Sequence, residues 1–199
     1  MNLDTNVCGK ITASCLNFFD RETPATPLEM LESIWQDSGI AMHCPEHHYM
    51  LPAVLLTAVR RQLGDERQLL EENLAVALER ADNVLGGFCG NYGACGAAVG
   101  CGIFLSILTG TSPHSVQNWA QVNLITADAL TAIAGIDGPR CCKRDTYLSL
   151  QSTEKFLQAH YDISLPKAAP ACRHFSINQD CKHQLCPFFP KEHDTHAQN

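Results

Sequence analysis

Apolar residues along this chain recur mostly at helical spacing. Within residues 46–63, for example, the apolar positions Leu51, Val54, Leu55 and Ala58 fall on one face of a helix. No stretch alternates apolar and polar residues for long enough to predict a β-strand. The pattern therefore predicts an all-α protein.

Six segments carry this helical pattern together with start or stop signals. Thr26 is expected to cap the first segment and Asp65 the third, and Pro113 is expected to occupy the first turn of the fifth. We expect a compact bundle of five or six helices around a buried, Gly/Ala-rich central helix at 94–108. The six segments are residues 27–37, 46–63, 66–82, 94–108, 113–133 and 145–160.

Changes in periodicity divide the chain into three regions. Residues 1–26 are predicted to be an irregular N-terminal segment, and residues 27–165 a helical, cysteine-rich domain. Residues 166–199 are expected to form a linker, an irregular cysteine-bearing C-terminal loop and a tail, all packed on the same domain. The last residues, 193–199, are expected to be frayed.

The composition is that of a globular protein with a hydrophobic core. Of the 199 residues, 45% are apolar and 18% are charged. The net charge of −7 argues against binding to nucleic acid or to an anionic membrane surface, because both require a basic face. No Asp, Glu, Lys or Arg occurs in residues 84–127, so we expect this stretch to be interior. Its most apolar part is too short to predict a transmembrane helix.

Eleven cysteines are many for a chain of this length. Their number is odd, so disulfides could not pair them all, and the N-terminus lacks the basic and apolar regions of a signal peptide. We therefore expect a cytoplasmic protein whose cysteines are free thiols, metal ligands or catalytic groups. So many thiols would oxidise readily in air, which favours an anaerobic or microaerobic host.

The first candidate site centres on a glycine-rich stretch with three cysteines, residues 86–102. Glycines beside Cys89 and Cys95 let the backbone approach a bulky cofactor, and a helix N-terminus near Cys95 favours thiolate over thiol. Cys101 lies on another helix face and is expected to be inert. The alternative is a tight turn with buried, unreactive thiols. The expected partners of Cys89 and Cys95 are Cys44, His47, His48, Cys141 and Cys142.

Three basic residues surround the adjacent pair Cys141-Cys142. Arg140, Lys143 and Arg144 would favour thiolates or bind an anionic cofactor. Adjacent cysteines rarely ligate the same ion, so we expect one to be structural or the pair to exchange redox states. If the glycine-rich stretch lay far from both cysteines, it would be a simple turn.

The second candidate site is the C-terminal loop, where Cys172, Cys181 and Cys186 are accompanied by His174 and His183. A loop with so few apolar residues needs something to fix it, and a metal would do so. Its Cys-Pro ending is typical of iron–sulfur binding runs, and three thiolates with one histidine would equally suit structural zinc. The alternative is a poorly ordered surface loop. A fourth ligand could come from Cys8 or Cys15.

Two common motifs are missing from the sequence. The cluster from His43 to His48 does not have the His-Glu-x-x-His spacing of a metalloprotease. The glycines around Cys95 do not follow a predicted strand, so they do not indicate a dinucleotide site.

Five short motifs contain many of the cysteines and glycines: Gly87-Phe88-Cys89-Gly90, Gly93-Ala94-Cys95-Gly96-Ala97-Ala98-Val99-Gly100, Gly102-Ile103-Phe104, Gly138-Pro139-Arg140-Cys141-Cys142-Lys143-Arg144 and Cys186-Pro187-Phe188. Together they resemble a cysteine-rich domain family of anaerobic bacteria and archaea that has no known reaction. The resemblance spans residues 41–190 and implies an anaerobic host, a shared core site and occurrence alone or beside methyltransferase domains. Many members carry paired N-terminal cysteines of zinc-ribbon type. This chain has only Cys8 and Cys15 there, so no N-terminal zinc site is expected.

Three functions follow as hypotheses. The leading one is a cytosolic metal-binding protein with an iron–sulfur cluster of the 4Fe–4S type, which acts in redox, sulfur or one-carbon chemistry with a small-molecule substrate or a redox partner. The second is a zinc-stabilised helical module that partners a methyltransferase. The third is a metal-free enzyme with a cysteine nucleophile. The candidate metal ligands are Cys44, Cys89, Cys95, Cys141, Cys142, Cys172, Cys181 and Cys186, and the candidate cofactor-binding residues are Arg140, Lys143 and Arg144.

Overall fold

The structure, a computed structural model, describes residues 3–190, and this part of the chain contains eight α-helices and no β-strand. The predicted all-α class is confirmed. The count exceeds the expected five or six because the sequence pattern did not predict α1 or the short α5. The helices are α1 (Thr5–Phe19), α2 (Pro27–Asp37), α3 (His47–Leu63), α4 (Arg67–Asp82), α5 (Phe88–Asn91), α6 (Gly96–Leu108), α7 (Trp119–Ala134) and α8 (Cys142–Tyr161), followed by a 3-10 turn at His183–Leu185.

The N-terminal segment is helical from residue 5 to residue 19, so the expectation of an irregular segment is wrong there. Asp4 caps the helix by accepting the backbone N–H groups of Asn6 and Val7. Two cysteines act as small apolar residues on its inner face, and an apolar pattern that discounts cysteine therefore misses the helix. The buried residues of α1 are Cys8, Ile11, Cys15 and Phe18.

Helices α3 and α6 together form the centre of the bundle, whereas only α6 was expected there. From Tyr49 to Val59, α3 is buried on every side. The small residues of α6 allow the two helices to lie very close together. A Cβ atom at Gly100 would stand 2.9 Å from Cδ of Pro52 and 3.3 Å from the carbonyl oxygen of His48.

The uncharged stretch at 84–127 is interior only in part. Residues 96–105 of α6 are almost all buried, but residues 112–124 are mostly exposed, and Val116 is 99% exposed. The exposed part contains Ser, Asn, Gln and His side chains, which are polar without being charged. Absence of charge therefore does not by itself indicate burial.

The fifth predicted helix begins later than expected, at Trp119 instead of Pro113. Ser112 and Ser115 hydrogen-bond to each other and to the local backbone, which holds a turn in place of a helical start. Asn118 then adopts a left-handed conformation with φ of 61° immediately before the helix.

Two other helix starts also differ from the prediction. Asp65 does not cap α4, because its carboxylate pairs with Arg60 at 3.1 Å, and the helix begins after Glu66. The last helix starts at Cys142, before the predicted residue 145. Cys142 therefore lies in the first turn of α8, where the backbone N–H groups have no partner within the helix.

The C-terminal loop packs on the helical domain. Residues 162–182 contain no helix or strand, and this irregular region starts a little before the predicted boundary at residue 166. Leu165 and Phe188 are buried, and the ring of Phe188 lies edge-on to Tyr147 of α8 with centroids 5.0 Å apart. The tail at 193–199 lies outside the described residues. Among residues 3–190, no helix has the length and apolar character that crossing a lipid bilayer requires.

Replacing Gly100 by Ala should destabilise the protein. The methyl group would press on Pro52 and on the His48 carbonyl, and overpacking of this kind costs about 1–3 kcal/mol. The better helix propensity of alanine offsets about 1 kcal/mol of that cost. Urea unfolding should show a net loss on the order of 1 kcal/mol. Gly90→Ala is the matched control, since nothing lies within 4 Å of its Cβ position. Equal stability of the two variants would contradict the close packing of α3 on α6.

Glu154 of α8 should make stability depend on pH. Burial raises the pKa of its carboxyl above the usual 4.5, and Lys167 opposes the shift. Because the folded-state pKa is raised, the stability contributed by the protonated carboxyl is present below the unfolded pKa and is lost as the pH rises through the folded value. Glu154→Gln should therefore be more stable than the wild type at about pH 8 and should lose that advantage near pH 4, as measured by urea unfolding. An advantage that does not change with pH would contradict this assignment.

Candidate functional site

A cavity of about 340 Å³ lies where the N-terminal ends of α3, α6 and α8 meet the short helix α5. Four cysteines from four separate segments of the chain line it, namely Cys44, Cys89, Cys95 and Cys142. The structure thus brings Cys89 and Cys95 together with Cys142, but not with Cys141. The other titratable side chains along the wall of this first cavity are His43, His47, His48, Arg140 and Asp145.

Helix starts place two of these four thiols. Cys95 is the N-cap residue of α6, so its side chain lies beside the backbone N–H groups of the first helical turn, although it accepts no hydrogen bond from them. Cys142 is the first residue of α8. Donors at a helix N-terminus favour a negatively charged ligand, so both sulfurs lie where a thiolate would be stabilised.

Burial nevertheless keeps Cys44, Cys95 and Cys142 protonated as free thiols. It raises the pKa of Cys44 and of Cys95 to about 12, and that of Cys142 to about 11. Nearby carboxylates raise these pKa values further: Glu46 acts on Cys44, and Asp145 acts on Cys95 and Cys142. The S–H of Cys95 donates to Oδ2 of Asp145 at 3.9 Å. Thiolates in this cavity therefore need a compensating positive charge.

His48 lies against the N-terminus of α6 in a defined tautomer. Its Nδ1–H donates to the carbonyl oxygen of Val84 at 2.7 Å, so Nε2 carries the lone pair. Burial lowers the pKa of the imidazole below 6.5, which keeps it neutral at pH 7. Residue 96 is glycine because a Cβ atom there would overlap the His48 ring. A histidine held by a backbone carbonyl through its second nitrogen is typical of metal ligands.

Behind the first cavity lies a buried group of polar side chains with unused hydrogen-bonding capacity. His47 is 2% exposed, and neither of its ring nitrogens has a hydrogen-bond partner. Nε1 of Trp35, Nε2 of His174 and Oε2 of Glu32 are also buried without a hydrogen-bond partner, and the last two atoms stand 3.9 Å apart. The rings of His47 and His174 stand 6.2 and 5.4 Å from Trp35. Buried polar atoms are normally paired, and an unpaired one is accounted for by strain, by a catalytic role or by a bound water or ion.

The three basic residues expected to bind a cofactor occupy different surroundings. Arg140 is exposed and lines the first cavity. Lys143 is buried, with Nζ 4.4 Å from the centre of the Trp35 ring, and burial lowers the pKa of its ammonium group to about 8. Arg144 is buried and donates to Oδ1 of Asp145 at 3.3 Å. Of the three, Arg140 is the one that faces the cavity.

The remaining four candidate ligands surround a second cavity of about 20 Å³, and they are Cys141, Cys172, Cys181 and Cys186. The adjacent residues Cys141 and Cys142 therefore face different cavities. Asn178 connects the two cavities. Its Nδ2–H group is 3.6 Å from Sγ of Cys141, and its Oδ1 accepts a hydrogen bond from Nε2 of His43 at 3.2 Å. His43 lines the first cavity.

The other three cysteines belong to the hydrophobic core. Cys8 and Cys15 are fully buried in α1, and Cys101 is fully buried in α6 with its S–H donating to the Ala97 carbonyl at 3.4 Å. The suggestion that Cys8 or Cys15 completes the C-terminal group is wrong, because Cys141 stands in that place. These three side chains act as small apolar residues.

The thiols of the first cavity surround a space and do not converge on one point. Within residues 3–190, no three His, Cys, Asp or Glu side chains stand close enough together to hold a single metal ion. All eleven cysteines are free thiols. A group that binds here must therefore be larger than one ion, or it must draw the ligands together.

The sequence did not indicate the roles of Asp145 and Asn178. Asp145 follows Cys142 by one helical turn, and an acidic residue at that spacing is a signal that could have placed it at the site. Asn178 lies in a loop without periodicity. Its position between His43 and Cys141 comes from the tertiary structure alone.

A family model described as a family of unknown function (DUF5714) matches residues 11–189. No curated protein and no solved structure matches the chain. The matched region includes both cavities and all eight candidate cysteine ligands.

Replacing Gly96 by Ala should disturb the first cavity. The new methyl group would overlap the His48 ring and break its hydrogen bond to Val84, at a cost of about 1–3 kcal/mol for overpacking. Urea unfolding measures the loss of stability, and ¹⁵N NMR of the imidazole reports whether the Nδ1–H tautomer persists. Gly86→Ala is the control, because Gly86 lines the same cavity with nothing within 4 Å of its Cβ position. An unchanged His48 tautomer in the Gly96→Ala variant would contradict this packing.

Proposed function

The chain belongs to this family of unknown function, and we propose that it is an iron–sulfur protein with a 4Fe–4S cluster in the first cavity. The ligands would be Cys44, Cys89, Cys95 and Cys142. A cluster bound there supplies one-electron redox chemistry or a Lewis-acidic iron for sulfur or one-carbon chemistry. The proposed partners are a small-molecule substrate or a redox protein.

The observation that carries this proposal is the arrangement of four thiols from four separate segments around one cavity of about 340 Å³. Cysteine thiolates are the usual ligands of iron–sulfur clusters. Each iron atom of a 4Fe–4S cluster meets its own thiolate, so the ligands stand around a cage and do not meet at a single atom. Cys95 and Cys142 lie at the N-terminal ends of α6 and α8, where the free backbone N–H groups are donors of the kind that tune cluster potentials.

A single zinc ion is less well supported by the geometry. Zinc draws four ligands to within about 2.0–2.3 Å of one centre. No side chains in residues 3–190 are grouped so tightly. A zinc-stabilised module that partners a methyltransferase is therefore the second proposal.

A metal-free cysteine nucleophile is the third proposal. The thiolate is the reactive form of cysteine, and it requires a lowered pKa. Burial instead raises the pKa of Cys44 and Cys95 to about 12 and that of Cys142 to about 11. A bound metal centre would supply the missing positive charge.

The surroundings of the first cavity favour a small anionic substrate. A wider groove of about 810 Å³ adjoins the cavity and shares Cys89, Cys95, Arg140 and Asp145 with it. The exposed guanidinium of Arg140 can bind a carboxylate, phosphate or sulfur oxyanion that enters by this groove. His48 lines the cavity as a neutral imidazole that can accept a proton at Nε2.

Replacing Cys95 by Ala should abolish the cluster in the first cavity. Anaerobically reconstituted wild-type protein should be brown and contain iron and acid-labile sulfide. The variant should lose about 4 iron atoms per chain, because one of the four ligands is missing. Iron and sulfide assays and the visible absorption spectrum measure this loss.

Cys101→Ala is the matched control for that experiment, because Cys101 lies in the same helix but is buried in the core. It should keep the iron content of the wild type. Colourless wild-type protein without iron after anaerobic reconstitution would overturn the proposal. Stoichiometric zinc would favour the interaction module, and one thiol that is alkylated rapidly at low pH would favour the nucleophile.

A further inference from the structure

A groove of about 810 Å³ adjoins the first cavity and follows the end of α7. The groove and the cavity share Cys89, Cys95 and Arg140 in their walls, whereas Cys44 and Cys142 line the cavity alone. A molecule in the groove would therefore lie beside two of the four proposed cluster ligands. It would not occupy the space that the four thiols surround.

One wall of this groove is apolar. It is formed by the last turns of α7 and the residues that follow the helix, with Leu130, Ile133 and Ile136 as its large side chains. All three are only partly buried, whereas Ile125 and Ala129 of the same helix are fully buried and lie outside the groove. Accessible apolar side chains along a groove are suited to the apolar part of a ligand.

Three glycines form another part of the groove, namely Gly87, Gly90 and Gly93. Gly87 and Gly93 have φ of 91° and 67°, a conformation that favours glycine. Nothing lies within 4 Å of the Cβ positions of Gly90 and Gly93, so the space above them belongs to the groove. A ligand can therefore approach the backbone closely along this segment.

Arg140 provides the free positive charge at the junction of the groove and the first cavity. Among residues 3–190 no carboxylate pairs with its exposed side chain. The other arginine of the groove, Arg144, is buried and pairs with Asp145 at 3.3 Å. The carboxylate of Asp137 accepts the backbone N–H of Gly138 at 2.8 Å. An anionic group in the groove would therefore bind Arg140.

We infer that the substrate of the proposed reaction is an amphipathic anion, whose charged group binds Arg140 and whose short apolar chain lies against Ile133 and Ile136. The inference rests on the proposed function for the reaction and adds the class of substrate. The charged end lies beside Cys89 and Cys95, and the chain extends along α7. Carboxylates, sulfonates and phosphate monoesters with an alkyl chain share this chemistry.

Binding of alkyl carboxylates to the full-length, metal-free chain tests the inference. Isothermal titration calorimetry should show that the affinity rises from butanoate to pentanoate to hexanoate, by about fourfold for each CH₂ group that is buried. Hexanesulfonate and hexyl phosphate, measured alongside hexanoate, show which anionic group binds best. An affinity that does not change with chain length would overturn the inference, and so would the absence of binding by all of these compounds.

Two variants locate the binding site. Arg140→Gln should weaken hexanoate binding by about tenfold or more, because a hydrogen-bonded charge is lost. Arg67→Gln is its control, since Arg67 is exposed on α4 outside the groove. Unchanged binding in Arg140→Gln would overturn the inference.

The second variant, Gly90→Leu, fills the groove with a side chain that meets no other part of the protein at its Cβ. It should also weaken hexanoate binding by about tenfold or more, because the apolar chain loses its place. Gly9→Leu is its control, because Gly9 is exposed on α1 and nothing lies within 4 Å of its Cβ position. Equal affinities of the two leucine variants would contradict binding in the groove.

Iron content separates this inference from the proposed function. Iron uptake by a wild type that binds no hexanoate would overturn the inference only. Hexanoate binding that depends on Arg140, in a chain that takes up no iron after anaerobic reconstitution, would overturn the cluster and leave the groove as a binding site.

Electron paramagnetic resonance tests whether the bound anion lies next to the cluster. Hexanoate should change the spectrum of the dithionite-reduced, reconstituted wild type, because its charged group lies beside Cys89 and Cys95. The change should be absent in Gly90→Leu at the same hexanoate concentration. An unchanged spectrum in wild-type protein saturated with hexanoate would overturn the assignment of this anion class as the substrate.

Discussion

A buried ion pair at the start of α8 fixes the position of the two cavities relative to each other. The side chains of Arg144 and Asp145 are 4% and 6% exposed and meet at 3.3 Å. Asp145 reaches the first cavity, where it accepts the S–H of Cys95, and Arg144 lines the second. Removing either partner would leave an uncompensated buried charge, at a cost of about 3–5 kcal/mol. The start of α8 therefore cannot move without disturbing both groups of thiols.

Helix ends and glycines determine the electrostatics and the width of the first cavity. The N-termini of α3, α6 and α8 converge on it, so the positive ends of three helix dipoles face the four thiols. Gly96 and Gly100 remove the side chains that would keep α6 away from His48 and Pro52. This combination of positive dipole ends and close backbone approach suits a bulky, negatively charged group, and thiolate-ligated clusters are of that kind.

Local patterns predicted the parts of the fold that depend on local physics. The apolar spacing of α2, α3, α4 and α6 is read directly from the chain, and the capping box formed by Thr26 and Glu29 is present in the structure. Prediction was wrong where side chains took other partners. Asp65 pairs with Arg60, and Ser112 bonds with Ser115, so neither helix start follows the simple rule. In α1, cysteines replace the aliphatic residues that make an amphipathic helix easy to recognise.

The sequence alone determined that the chain is helical and which cysteines have glycines, basic residues or loops around them, because helical period and residue type are local properties. It could not determine that eight cysteines divide into two groups of four. That division depends on the extended backbone at Cys141, on the depth of the cavity beside Gly96 and on the return of the C-terminal loop to the start of α8. Each of these joins residues that are far apart along the chain, and burial and packing of the whole bundle decide where such residues meet.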